Sequence, residues 1–222
     1  MKFETISVVG LGYIGLPTAA VIASNGIRVI GVDVNQHAVD IINQGKIHIV
    51  EPGLEDLVKQ AVQDGHLSAH TSPQKADAFL IAVPTPFKGE DHEPDLKYIE
   101  SASRALAPML EKGNLVVLES TSPVGATEQM AKWLAEERRD LTFPHTVAED
   151  QTPDIFVAHC PERVLPGQVI RELVENDRII GGMDKASTEA ATQVYKMFVK
   201  MGECIATEAR TAVMTKLTDN AL

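Results

Sequence analysis

The sequence predicts an α/β fold, a doubly wound and mostly parallel sheet with helices on both faces. Three observations predict it. Short apolar runs recur along the chain, as at Ser7-Val8-Val9, Val29–Val32, Phe79–Val83 and Leu115–Leu118, and read as strands buried on both faces. Segments of helical period alternate with them, the order that builds a parallel sheet. The first run passes directly into Gly10-Leu11-Gly12-Tyr13-Ile14-Gly15, a strand, a glycine loop and the start of a helix. The 222 residues, 44% apolar and 23% charged, suffice for one large or two small domains with a proper core.

Residues 5–10 form the first strand. In the loop, Gly10 allows the tight turn, Gly12 lets the backbone approach a pyrophosphate, and Gly15 lets the helix pack closely on the strand. Tyr13 and Ile14 lie where backbone N–H groups face the phosphates. The helix over 14–25, with Pro17 tolerated in its first turn, offers free N–H groups and a partial positive charge to an anion. Arg28–Val32 is the second strand, and Asp33 ends it. A carboxylate about 20 residues past the glycines accepts from the ribose 2′-OH of NAD and repels the 2′-phosphate of NADP. A bare G-x-G-x-x-G is a weak signal. The βαβ context makes it a Rossmann-like NAD site, against the alternative of a glycine-rich surface turn with a chance Asp.

Further along, Asn35–Gln44 is a helix with Asn35 as its cap. Pro52-Gly53 breaks the chain. Leu54–Val62 is helical, with Leu54, Leu57, Val58, Ala61 and Val62 on one face. His66–Thr71 is a short strand. Ala76–Val83 is a strand running into Pro84-Thr85-Pro86, a loop placed where α/β proteins bind ligands. Asp95–Leu110 is a helix, and Asn114–Glu119 a strand that ends in Ser120-Thr121-Ser122-Pro123-Val124-Gly125. Ala126–Arg138 is helical, and 139–153 is a polar connection. Ile155–His159 is a strand followed by Cys160-Pro161-Glu162-Arg163-Val164-Leu165-Pro166-Gly167. Arg178–Gly182 is strand then turn, Lys185–Met201 a helix, Cys204–Ala206 a short strand, and Glu208–Leu222 opens a new helix. That last pattern has no stop signal, so the chain reads as truncated inside it. The expected division is a NAD-binding domain over 1–207 and the start of a central helical region over 208–222.

Composition excludes several classes. A net charge of −11 argues against nucleic acid or an anionic membrane as partner. Cys160 and Cys204 form no C-x-x-C pair, which fits a reducing cytoplasm. The seven histidines are scattered without H-x-x-x-H spacing, so no metal site is expected. Thr5–Ser24 is almost uncharged and mimics a targeting segment, but Glu4, the three glycines and Pro17 argue against one.

Several motifs together resemble one family. They are Gly10–Pro17, Val83-Pro84-Thr85-Pro86, Ser120–Thr127, the Pro161-Glu162 turn, and Lys216 with Asn220. Their order and spacing resemble the NAD-dependent nucleotide-sugar 6-dehydrogenases, the UDP-glucose/GDP-mannose dehydrogenase family, over the whole chain. Within the family, Cys160–Gly167 resembles the branch acting on UDP-N-acetylhexosamines, with Pro166 where UDP-glucose enzymes usually carry a second Glu and UDP-N-acetyl-D-mannosamine the implied substrate. UDP-glucose and UDP-N-acetylglucosamine are the alternatives.

The resemblance implies oxidation of the sugar C6 alcohol to a carboxylate in two hydride transfers to NAD⁺, for surface polysaccharide synthesis. The aldehyde is held as a thiohemiacetal on a cysteine, becomes a thioester and is hydrolysed. That cysteine lies in a G-G-x-C-type motif beyond residue 222; neither Cys160 nor Cys204 matches it. Cys160 reads as a small apolar residue at a strand end and Cys204 as a core strand residue.

The resemblance assigns Glu162 to water activation, Thr121 to holding that water, and Thr85 to the cofactor's ribose or nicotinamide side. Thr127 contacts NAD or caps a helix. Lys216 and Asn220, four apart on one helix face, would stabilise the alkoxide and contact the sugar. Arg163 and Val164 line the nucleotide-sugar site, with a surface ion pair the alternative for Arg163. A homodimer is implied for the full-length protein. A non-catalytic NAD-sensing module is the alternative of another class, and it would have no need of Glu162, Lys216 or Asn220.

Overall fold

The computed structural model describes residues 2–89, 93–148 and 151–221, with side chains described as far as Thr218. In chain order its elements are β1 (Thr5–Val9), α1 (Gly15–Ser24), β2 (Arg28–Val32), α2 (Gln36–Asn43), α3 (Leu54–Gln63), β3 (Leu67–His70) and β4 (Ala78–Ile81). Then come β5 (Phe87–Lys88), β6 (Glu93–Pro94), α4 (Lys97–Leu106) with a 3₁₀ turn over Ala107–Met109, β7 (Leu115–Leu118), α5 (Ala126–Glu137) and β8 (Phe156–His159). The chain continues through α6 (Val169–Glu175), β9 (Arg178–Gly182), α7 (Lys185–Tyr195), β10 (Cys204–Glu208) and α8 (Ala209–Ala221).

Eight strands form one sheet in the order β10-β9-β8-β7-β4-β1-β2-β3, and β5 pairs with β6 in a separate hairpin. All neighbours in the large sheet are parallel except β8 and β9. The strands divide their side chains between two cores. Ile6, Val8, Val29, Leu80 and Val117 face one side, with α1, α2, α3, α6 and α7 laid over them. Val9, Ile30, Val32, Phe79, Ile81, Val116 and Leu118 face the other, under α4 and α5. Burial on both faces is why the strands are apolar runs and not alternating ones.

Register fixes the site. Val32, Val9, Ile81, Leu118 and His159 lie in one row across β2, β1, β4, β7 and β8. The next residue of each strand therefore emerges at the same edge: Asp33, Gly10, Ala82, Glu119 and Cys160. Loops from distant parts of the chain meet there, as expected at the carboxyl end of a parallel sheet. Because β9 runs the opposite way, its first residue, Arg178, comes to this edge as well.

The expected helices and strands are all present, most with ends shifted by one or two residues. The helix expected from Asp95 begins at Lys97, and that from Lys185 ends at Tyr195. Two elements were not anticipated, the β5–β6 hairpin and α6. Cys204, expected in the core, is half-buried on the edge strand β10. No helix among the described residues is long and apolar enough to cross a membrane.

Candidate active site

The three loop glycines meet three different constraints. Gly10 has φ +94°, and a Cβ there would stand 2.7 Å from the Ala82 carbonyl oxygen. Its N–H donates to the Val32 carbonyl at 2.7 Å, which ties the loop to β2. A Cβ on Gly15 would fall 1.7 Å from the Gly10 carbonyl oxygen, so only glycine lets α1 approach β1 this closely. Gly12 has nothing within 4 Å of its Cβ position. Its open backbone face, ahead of the first turn of α1, fits a pyrophosphate.

Asp33 is half-buried beside this loop. Its Oδ2 accepts from Leu11 N–H and its Oδ1 from Asn35 N–H, both at 2.9 Å. The carboxylate therefore shapes the glycine loop, and each oxygen keeps a second lone pair for a ribose hydroxyl. These features together fit a dinucleotide such as NAD.

The loops after β4 and β7 are stitched together. Ser120 Oγ donates to the Val83 carbonyl at 2.6 Å, and Thr85 Oγ1 donates to the Thr121 carbonyl. Thr85 is half-buried and Thr121 exposed, so both reach the surface at this edge. Thr127 does not. It is fully buried, with Oγ1 3.4 Å from His159 Nδ1. The cap of α5 is Gly125, at φ +96°, so Thr127 lies within the first turn and turns into the core. Neither expectation for it, a cofactor contact or a cap, matches this placement.

After β8 the chain enters a buried group of charges. Arg178, 2% exposed, donates from Nη1 to Glu162 Oε2 at 2.6 Å and from Nη2 to the Leu173 carbonyl at 3.0 Å. Glu162 Oε1 accepts from Arg163 N–H at 2.7 Å. Glu162 is thus a fixed, buried carboxylate and not a solvated turn acid. Glu119, also buried, accepts from Tyr195 Oη at 2.5 Å. Burial, helped by the negative charge of Glu162, raises its carboxyl to about 7. Burial likewise pushes the Cys160 thiol up, which makes it inert as a nucleophile.

Val164 packs against the larger core, and Arg163 is half-buried in the same segment. Lys216 is half-buried on α8, which packs on β8 and β9. The side chain of Asn220 lies outside the described residues; its backbone continues α8. Tyr13 is 39% exposed and Ile14 half-buried in the glycine loop. Sequence reasoning missed Arg178, Glu119 and Tyr195, since nothing local marks them as partners, and it missed Glu51, whose only signal was the Pro52-Gly53 break after it.

A concavity lies at the opposite edge, lined by Glu128, His145, Thr188 and Arg210 among others. It is open to solvent, and two of the charges on its rim, Glu128 and Arg210, already pair at 2.6 Å. The convergent strand-end loops make the stronger site. Among the described residues, no group of three metal-ligating side chains occurs.

The UDP-glucose/GDP-mannose dehydrogenase family, NAD binding domain, matches residues 4–199. The UDP-N-acetyl-D-mannosamine dehydrogenase of Campylobacter jejuni is 69% identical over 99% of this chain and 53% of its own length. The NDP-N-acetyl-D-galactosaminuronic acid dehydrogenase of Ralstonia solanacearum is 66% identical over 100% of this chain and 51% of its own. In structure, the UDP-N-acetyl-mannosamine dehydrogenase of Staphylococcus aureus superposes with a TM-score of 0.88 at 42% identity, covering 97% of this chain and 50% of that one. The chain spans about half the length of the relatives it matches.

Proposed function

The chain belongs to the UDP-glucose/GDP-mannose dehydrogenase family through its NAD-binding domain, and from that premise we propose that it supplies the cofactor half of an enzyme oxidising UDP-N-acetyl-D-mannosamine at C6. The product is the uronate, formed by two successive two-electron oxidations. NAD⁺, when bound, accepts the hydride in each. The observation that carries this reading is the row of strand ends that brings Gly10, Asp33, Thr85, Thr121 and Glu162 to one edge of the sheet.

The residues divide the work by position. Gly12, Tyr13 and Ile14 present backbone N–H groups to the pyrophosphate, and Asp33 takes the ribose hydroxyl. Thr85 and Thr121 border the reacting end. Lys216, with Asn220 one turn further along α8, presents an ammonium and an amide to the developing alkoxide, where fixed donors have most effect. Glu162, held by Arg178, orients the water that hydrolyses the thioester on the cysteine of the whole protein. The resemblance puts that cysteine outside this chain, so the chain alone binds NAD without turnover.

Calorimetry on this chain tests the cofactor half. NAD binds more tightly than NADP, and Asp33→Ala narrows the ratio. Equal affinity of the unaltered chain for both cofactors would refute the role of Asp33. Because Asp33 also holds Leu11, the ratio is the informative quantity and not the loss of affinity alone. Assay of the full-length protein with UDP-N-acetylmannosamine, UDP-N-acetylglucosamine and UDP-glucose tests the substrate. A second reading, a galacto-configured N-acetyl sugar, is favoured by the nearly equal identity to the Ralstonia relative. Turnover of UDP-glucose alone among the three removes the first reading.

A further inference from the structure

Glu51 is a buried carboxylate, 4% exposed, that none of the chemistry above uses. It stands just before α3, ahead of Pro52 and Gly53. Three donors converge on it. Tyr13 Oη donates to Oε2 at 3.0 Å, Gly167 N–H to Oε2 at 3.0 Å, and Val169 N–H to Oε1 at 2.8 Å. Tyr13 belongs to the glycine loop. Gly167 and Val169 close the segment that carries Glu162, Arg163 and Val164, more than 110 residues away in sequence. The loop that meets the cofactor and the segment that faces the sugar thus share one oxygen atom, Glu51 Oε2.

A carboxylate is an expensive choice for a mere loop tie, because burying its charge has a desolvation cost that a neutral acceptor avoids. In return its hydrogen bonds are roughly twice as strong as neutral ones. Both of its oxygens accept at once, one of them from both sides, so displacing any one donor alters the geometry of the others. Tyr13 is the movable member: it is 39% exposed and precedes the first turn of α1.

We propose that Glu51 is a positioning residue that couples the two halves of the site: occupation of the cofactor loop fixes Tyr13 and, through the shared oxygen, orders the 163–169 segment for the nucleotide-sugar. This rests on the reading of the glycine loop as the NAD site.

Amide hydrogen exchange on this chain, with and without saturating NAD, tests it, with binding followed in parallel by calorimetry. NAD should slow exchange in the glycine loop and, by about tenfold, at Gly167 and Val169, the factor one charge-assisted hydrogen bond supplies. Tyr13→Phe removes one hydroxyl from a partly exposed ring. It should lose the added protection at Gly167 and Val169. Glu51→Gln, which keeps shape and one acceptor, should do the same. NAD binding without slowed exchange at Gly167 and Val169 overturns the coupling alone, as does full remote protection in Tyr13→Phe. Failure of the unaltered chain to bind NAD overturns the cofactor reading and the coupling with it.

Discussion

Gly12 and Gly15 stand three residues apart and answer to opposite demands. A methyl at Gly12 meets nothing within 4 Å, and the backbone there is not left-handed, so Gly12→Ala should leave the unfolding midpoint nearly unchanged. The same methyl occupies the approach to the phosphates, so NAD affinity should fall about tenfold or more, a loss of one well-made charged hydrogen bond. Gly15→Ala drives a Cβ into the Gly10 carbonyl and should cost about 1–3 kcal/mol or more in urea unfolding. Equal destabilisation by the two changes would disprove the division of roles. These glycines were legible in the sequence because their constraint is local. Glu162 was legible as a residue but not as a buried one, because its partner Arg178 arrives from a strand running the other way. Thr127 misled because its position near a helix start says nothing about which way it turns.

At the scale of elements, caps and periodicity carried the reading. Asn35 was expected to cap α2, and its Oδ1 accepts from His37 and Ala38 N–H. The matching cap of α7 is Asp184, which accepts from Ser187 N–H at 2.6 Å. Asp184→Ala should cost about 1 kcal/mol in chemical unfolding, the usual loss for a cap. It lies at the far edge of the sheet, so NAD affinity should stay as it was; a loss of affinity would show that the two edges communicate. The unanticipated α6 has only seven residues and follows Pro166-Gly167, too short a run to display a period. The β5–β6 hairpin has two-residue strands, one containing Pro94, which no alternation rule detects.

The whole molecule answers to pH through two buried groups with opposite signs. The Glu119 carboxyl is raised to about 7 by burial and by Glu162, against Tyr195 and Arg178. From about pH 4.5 to 7 the folded protein holds a proton that the unfolded chain has lost, so this group makes stability fall as pH rises. Burial lowers the His159 imidazole to about 4. From about pH 4 to 6.5 the unfolded chain holds a proton that the folded one lacks, so this group makes stability rise with pH. Each slope is at most about 1.4 kcal/mol per pH unit, and between about 4.5 and 6.5 they oppose. Glu119→Gln keeps an acceptor for Tyr195 and removes the falling contribution. Its stability relative to the unaltered chain, from urea unfolding at a series of pH values, should climb between pH 4.5 and 7; a flat difference would show that Glu119 titrates normally. The sequence by itself determined the α/β class, the strand runs, the glycine loop and Asp33, because each depends on residues within one βαβ unit or one period. Tertiary structure alone decided the reversal of β9, the pairing of Arg178 with Glu162, the raised Glu119 and the meeting of two loops at Glu51. Those depend on strand register and burial, which bring together residues that no local pattern relates.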